Sequence, residues 1–425
     1  MTNYKKILNI ALPAMAENFL QMLMGMVDSY LVASLGLVAI SGVSVAGNII
    51  SIYQAIFIAL GAAVSSLISK SLGEGDRDNL AYHTNEAIKL TLILSVFLGL
   101  LSLVFGRQIL AWLGTEPAVA NAGGLYLALI GGTILLLGLT TTLGSLIRAT
   151  SNPRLPMYIS FLSNLLNVLF SSLAIFIFHM GIVGVALGTI LARLVGVLIL
   201  WKELSLPLAP WSWKVDWELL RLSLPAAGER LMMRAGDVVI IAIIVKFGTA
   251  AVAGNAIGEV LTQFNYMPGF GVATATVMLV AHAVGQADFQ TVRKLTKQTY
   301  WLSLGLMLAV ALLIFALGQP LTHLYTKDSG AVTASLSVIL FSLLGVPMTA
   351  GTVIYTAVWQ GLGNAKLPFY ATTVGMWLIR IVAGYFMGGT LGLGLPGGWT
   401  ATLLDNAFRW IFFQIIYQRK MRSQT

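Results

Sequence analysis

Residues 125–146 read LYLALIGGTILLLGLTTTLGSL, an apolar run without a charged side chain. A helix that crosses a bilayer needs roughly 20 apolar residues, so this stretch is long enough to span. Similar runs lie at 90–105 and 301–317, and about twelve such segments fit into the 425 residues. Backbone groups in hydrocarbon must be hydrogen-bonded internally, and these runs are too long for barrel strands. We therefore predict an all-α polytopic membrane protein with twelve transmembrane helices.

Basic residues are distributed unevenly among the predicted loops. If the first helix starts on the inside, sixteen Lys and Arg residues fall on that side and only Arg107, Lys246 and Lys327 fall outside. Cytoplasmic loops carry such an excess of positive charge. We expect a cell-membrane protein with both termini in the cytoplasm. The net charge of +9 then reflects topology rather than nucleic-acid binding. Glu17 inside the first apolar stretch speaks against a removable signal peptide.

The chain contains an internal repeat, in which its second half aligns with its first at an offset of 212 residues, with one residue of slippage near the end of each half. The aligned pairs are LPAMAE at 12–17 with LPAAGE at 224–229, LGEGD at 72–76 with VGQAD at 284–288, and TSNPRLPMY at 150–158 with LGNAKLPFY at 362–370. Six predicted helices precede the linker at 211–221 and six follow it, so both halves have the same orientation. This pattern predicts two parallel six-helix lobes, 1–210 and 211–425, with a cleft whose access alternates.

Three motifs carry a resemblance to a known family. Residues 11–36 read ALPAMAENFLQMLMGMVDSYLVASLG, LGEGD follows the second helix, and residues 147–169 read IRATSNPRLPMYISFLSNLLNVL. Their order over essentially the whole chain resembles the multidrug and toxic compound extrusion (MATE) family, in its proton-coupled DinF-like branch of the MOP flippase superfamily. The resemblance implies a V-shaped twelve-helix transporter that expels cationic amphipathic compounds in exchange for protons or sodium ions.

Predicted helix 1 carries a polar stripe. Glu17, Gln21, Met24 and Asp28 recur every three or four residues, so they share one helix face. Ionisable groups are costly inside a membrane, and burial lets a carboxylate exchange a proton near neutral pH. We predict that Asp28 and Glu17 are proton-coupling residues supported by Gln21; a structural carboxylate satisfied by hydroxyl groups is the alternative. Asp28 also matches the helix-1 aspartate that the resemblance implies in coupling.

Predicted helix 5 bears on the identity of the coupling ion. The resemblance implies that sodium-binding members carry an Asn on helix 4, and on helix 5 an Asn followed four residues later by Asp. Asn167 matches the helix-5 Asn, with Asn164 as a second supporting amide, but Ser171 and Gly144 replace the other two residues. A hard cation prefers several oxygen ligands, some of them charged. We therefore favour protons, with a sodium-coupled drug antiporter as the alternative.

The second half offers further ionisable groups. Glu229 is the repeat mate of Glu17 and is the third predicted coupling residue. Arg234 and Asp237 lie three residues apart on predicted helix 7, so they form either an internal ion pair or a support for coupling. Asp405 and Arg409 lie four apart on helix 12, which predicts a structural pair.

Substrate contacts are predicted from adaptable and aromatic side chains. Met24 carries a flexible thioether that can repack around different aromatic cations. Tyr53 and Gln54, with Asn265 and Tyr266 at the equivalent site of the second half, add polar and aromatic contacts.

Several function classes lack their sequence motifs. The chain has no cysteine, no HExxH or HxxxH spacing and no GxxxxGK[ST] loop, so we expect no metal site, no cofactor, no ATP-driven step and no enzyme activity. We expect a monomer that binds small cationic drugs within the lipid bilayer. A flippase for a lipid-linked precursor is the competing transport function, and a receptor or scaffold would need soluble domains.

Overall fold

The computed structural model describes residues 3–150, 152–210 and 212–424. Within these ranges twelve helical rods follow one another, and no residue lies in a β-strand. A short helix, Gly318–His323, follows α9. The rods are α1 Asn3–Ala33, α2 Leu37–Glu74, α3 Arg77–Trp112, α4 Pro117–Gly131 with Ile134–Thr150, α5 Leu155–Phe176, α6 Gly181–Glu203, α7 Trp217–Val245, α8 Thr249–Gly285, α9 Phe289–Ala316, α10 Ser329–Leu344 with Val346–Gly361, α11 Lys366–Thr390 and α12 Gly394–Arg422.

Ten of the described rods are long and apolar enough to cross a membrane. Eight are single helices, and the other two are the bent rods α4 and α10. The remaining rods, α7 and α12, contain the charged residues that the sequence analysis singled out, including Glu229, Asp237 and Asp405. A criterion of length and hydropathy therefore misses these two helices because charged side chains lie within them.

The two bent rods break at small residues and proline. The halves of α4 meet at 43° beside Gly131 and Gly132, and those of α10 meet at 57° between Gly345 and Pro347. Proline cannot donate a helical hydrogen bond, and glycine weakens the helix, so sharp kinks concentrate at these residues.

The repeat is visible in the turns between helices. Gly36 before α2 and Gly248 before α8 have φ values of 111° and 103°, a conformation that only glycine adopts easily. Asp76 and Asp288 cap α3 and α9 by accepting hydrogen bonds from backbone N–H groups of the first turn. The aligned motifs of the two halves thus form equivalent helix ends.

The described residues divide into two compact units. One contains α1 as far as Met15 together with the chain from Leu224 onward, and the other is Ala16–Ser223. These units differ from the predicted lobes 1–210 and 211–425 in two places. Ile7 at the start of α1 belongs to the core around Trp359 and Phe413, and the linker after α6 belongs to the Ala16–Ser223 unit.

The linker ends at a buried carboxylate that begins α7. Asp216 accepts hydrogen bonds at 3.0 Å from the backbone N–H groups of Glu218 and Leu219. Its other oxygen lies 2.7 Å from Nδ1 of His83 on α3. Burial alone would raise the pKa of Asp216, but the contact with His83 and the two backbone hydrogen bonds hold this pKa below its usual value.

We expect Asp216→Ala to destabilise the protein by about 1–3 kcal/mol at neutral pH, because it removes the helix cap and leaves His83 without its partner. The thermal unfolding midpoint in detergent measures the loss. Because the pKa of Asp216 is lower in the folded protein, its carboxylate stabilises the fold at pH values above its unfolded pKa of about 4. This contribution disappears as the pH falls through the lower pKa of the folded protein. The difference in unfolding midpoint between the natural protein and Asp216→Ala should therefore disappear below about pH 4.

Asp78→Ala is the matched control, because Asp78 lies exposed in the first turn of α3. It should change the midpoint little. An equal loss in both variants, or a gap that persists in acid, would contradict the assignment to Asp216.

Candidate functional site

The predicted coupling residue Asp28 lies half-buried on α1, opposite α5. Nδ2 of Asn167 donates a hydrogen bond of 2.7 Å to its Oδ1. Asp28 has no ion pair within 4.0 Å among the described residues, and Arg193 on α6 acts on it only at longer range. The carboxylate therefore has one close amide donor and a more distant positive charge.

Two hydroxyl groups fix the orientation of the Asn167 amide. Oγ of Ser171 and Oγ1 of Thr189 lie 3.0 and 3.2 Å from Oδ1 of Asn167, and the three side chains are buried. Hydroxyl groups donate to the amide oxygen, so the amide N–H₂ faces Asp28. Asn167 was predicted as a supporting residue, whereas Ser171 was noted only as a replacement for an aspartate. Thr189, which lies on the next helix, α6, was not predicted.

The rest of the helix-1 stripe is paired within the same unit. Glu17 forms an ion pair with Arg148 at the end of α4. Gln54 of α2 donates to Gln21 at 3.3 Å. Asn164 of α5 donates to the backbone oxygen of Leu20 at 2.9 Å. The polar stripe thus contacts α2, α4 and α5 in turn, and only its Asp28 end has a carboxylate without an ion pair.

The charges of the Leu224–Thr425 unit centre on Asp405. This carboxylate is fully buried and binds Arg409 through two contacts of 2.9 and 3.0 Å. Arg380 lies 2.6 Å from its second oxygen. The predicted Asp405 and Arg409 pair is therefore present, and Arg380, which the sequence analysis left unassigned, completes a buried triad. Arg380 lies in a π-helical segment, Val374–Ile381, a helix type that is frequent at functional sites.

Glu229 joins this network through a hydroxyl group. Oγ1 of Thr372 donates to Oε1 of Glu229 at 3.0 Å and lies 3.4 Å from Nη1 of Arg409. The predicted internal pairing of Arg234 with Asp237 is absent: Arg234 is exposed, and no ion pair joins the two among the described residues. Asp237 lies within the electrostatic range of both Arg380 and Arg234, without a close contact to either among the described residues.

The predicted substrate contacts differ in accessibility. Met24 and Gln54 are half-buried. Tyr53 lies in the core, 5% exposed, where its hydroxyl accepts a 3.1 Å hydrogen bond from Ser102. Asn265 is buried and donates to Ser342 at 2.9 Å, next to Tyr266. No group of three or more His, Cys, Asp or Glu side chains suited to a metal occurs in the described ranges.

A family comparison covers most of the chain. The MatE family profile matches residues 13–173 and 225–386. The chain belongs to the MatE family. The two matched segments of this MatE protein begin at positions 13 and 225, which the predicted repeat aligns with each other, and the predicted family is confirmed.

Known MatE proteins share the full length of this chain. A probable multidrug resistance protein NorM from Thermotoga maritima is 28% identical over 418 residues, covering 95% of this chain and 90% of that protein. The crystal structure of MATE in the bent conformation matches with a TM-score of 0.92 at 19% identity, covering 99% and 96% of the two chains. An outward-facing multidrug resistance MATE transporter matches with a TM-score of 0.90 at 19% identity and the same coverage. The predicted all-α polytopic MATE fold is therefore confirmed, and this MatE protein is a membrane transporter rather than an enzyme.

Proposed function

We propose that this MatE protein is a secondary active antiporter of the cell membrane that exports cationic amphipathic compounds in exchange for protons. Drug export is supported by its relatives, among them the probable multidrug resistance protein of Thermotoga maritima. It is also supported by the carboxylates on α1, which suit cationic substrates. The protein would act as a monomer with both termini in the cytoplasm.

Proton coupling is supported by the hydrogen-bond partner of Asp28. Within the described ranges its close partner is the amide N–H₂ of Asn167, whose oxygen already lies within hydrogen-bond distance of Ser171 and Thr189. A sodium ion needs several free oxygen ligands. At this position Asp28 alone contributes a charged oxygen, and Ser171 replaces a second carboxylate. A single carboxylate is sufficient for a proton.

The other predicted residues receive supporting parts in this proposal. Glu17 and Glu229 remain predicted coupling residues, and their partners are Arg148 and Thr372. Met24 and Gln54 are the predicted substrate contacts that a ligand reaches without entering a core.

Purified protein in proteoliposomes tests the coupling ion. With a fluorescent cationic dye as substrate, we expect an imposed pH gradient to drive dye transport and dye addition to accelerate proton flux. An inward sodium gradient at symmetrical pH should leave transport at the level of protein-free liposomes. Dye transport driven by sodium alone would overturn proton coupling, and transport insensitive to both gradients would overturn antiport.

A further inference from the structure

The linker between the two halves is held by a buried lysine of α3. Nζ of Lys89 lies 2.5 Å from Oε1 of Glu86 and 2.7 Å from the backbone oxygens of both Ser212 and Lys214. All three ammonium donors are therefore occupied. Burying an ion pair is costly unless its hydrogen bonds are complete. The linker carbonyl oxygens complete the hydrogen bonds of Lys89, so Lys89 and Glu86 form a buried binding site for the linker backbone, which we call the seat.

Two further contacts hold the end of the linker. His83 binds Asp216 at 2.7 Å, and both side chains are buried. Lys70 at the end of α2 binds Glu218 at 2.9 Å. Together with Lys89, these contacts attach residues 212–218 to the end of α2 and to the first half of α3. We call residues 212–218 the clamped linker.

The seat is absent from the second half of the chain. In the alignment of the repeat, His83, Glu86 and Lys89 correspond to Leu295, Gln298 and Trp301. The duplicated scaffold is therefore stable without these three charged or titratable groups. The role of these three groups in the first half is therefore to hold the linker.

The clamped linker presents aromatic and apolar side chains on its exposed side. Trp213 is 84% exposed, Trp217 68% and Val215 51%. Lys214 is exposed among them, and Arg221 is exposed four residues after Trp217, on the same helix face. Tryptophan rings accompanied by Lys and Arg are typical of the membrane–water interface, where basic residues attract anionic headgroups.

We propose that the clamped linker is an interfacial anchor that binds anionic phospholipid headgroups of the adjacent leaflet. Trp213 and Trp217 insert at headgroup depth, and Lys214 and Arg221 contact the phosphates. The seat around Lys89 keeps the backbone fixed so that these side chains stay directed toward the lipid. This role is independent of the coupling ion and of the exported compound.

Nitroxide labelling measures whether the anchor enters the interface. The chain has no cysteine, so Val215→Cys provides a single labelling site, with Asp78→Cys on the same predicted side as the water-exposed control. Each labelled protein is placed in nanodiscs of phosphatidylcholine alone and of equal parts phosphatidylcholine and phosphatidylglycerol. Collision with oxygen reports lipid contact, and collision with a water-soluble nickel chelate reports water contact.

We expect the label at position 215 to collide severalfold more with oxygen, relative to nickel, in the anionic nanodiscs than in the neutral ones. The label at position 78 should remain equally accessible to nickel in both. The exposed substitutions Lys214→Gln and Arg221→Gln, combined, should abolish the lipid dependence at position 215, whereas Lys327→Gln on the opposite predicted side should not. Equal nickel accessibility at positions 215 and 78 would overturn the anchor. A lipid dependence that survives in the combined variant would overturn the headgroup contacts.

Discussion

Asp28→Asn should reduce dye export driven by a pH gradient to the level of protein-free liposomes. The amide has the size of the carboxylate and retains an oxygen that accepts the hydrogen bond from Asn167, so local packing is preserved. It cannot take up a proton, and the protonation change that links the two access states is lost. Dye-stimulated proton flux in proteoliposomes is the direct measurement, and drug resistance of cells that express the variant is the second.

Ser29→Ala is the control for this substitution. Ser29 is the exposed neighbour of Asp28, and its hydroxyl donates only to the backbone oxygen of Gly25, at 2.9 Å. Its variant should transport dye at the normal rate. Proton-coupled export at the normal rate in Asp28→Asn would remove Asp28 from the mechanism, while the same loss in both variants would indicate a packing defect of α1.

Asp405→Asn should greatly lower the amount of folded protein recovered from membranes. It removes the one negative charge between Arg380 and Arg409, which are both buried. Breaking a buried ion pair by deleting one partner costs about 3–5 kcal/mol, because the remaining charge is left uncompensated. Size-exclusion chromatography in detergent and the thermal unfolding midpoint measure the effect.

Removing the whole triad separates charge imbalance from loss of packing. A variant that combines Asp405→Leu, Arg380→Met and Arg409→Met removes the three charges of the triad together, and replacing a buried ionic triad by apolar side chains is often close to neutral. We expect it to recover most of the folded yield that Asp405→Asn loses. If Asp405→Asn retains the stability of the natural protein, the triad does not hold the unit together.

Local patterns in the sequence predicted the fold and some of the short-range contacts. The spacing of four residues places Asp405 and Arg409 on one helix face, and the structure contains that pair, whereas the similar spacing of Arg234 and Asp237 does not give an ion pair. The internal repeat aligned LGEGD with VGQAD, and the aspartates that end these motifs, Asp76 and Asp288, form equivalent helix caps in the structure. These features depend on helix geometry alone, which is why one sequence is sufficient to predict them.

Contacts between distant helices could not be predicted in this way. Arg148 binds Glu17 across 131 positions, and no local pattern predicted that contact. Tyr53 was predicted to contact substrate, but the face of α2 that carries it packs into the core. Helical periodicity shows which residues share a face; it does not show which neighbour that face meets.

The start of each half of the chain belongs to the compact unit formed mainly by the other half. The start of α1 completes a core formed by Trp359 and Phe413, whereas the start of α7, as far as Ser223, belongs to the other unit. Each half of the polypeptide therefore contributes its first helical turns to the compact unit formed mainly by the other half. A half-length chain with this arrangement would complete its core only by exchanging those turns with a second copy.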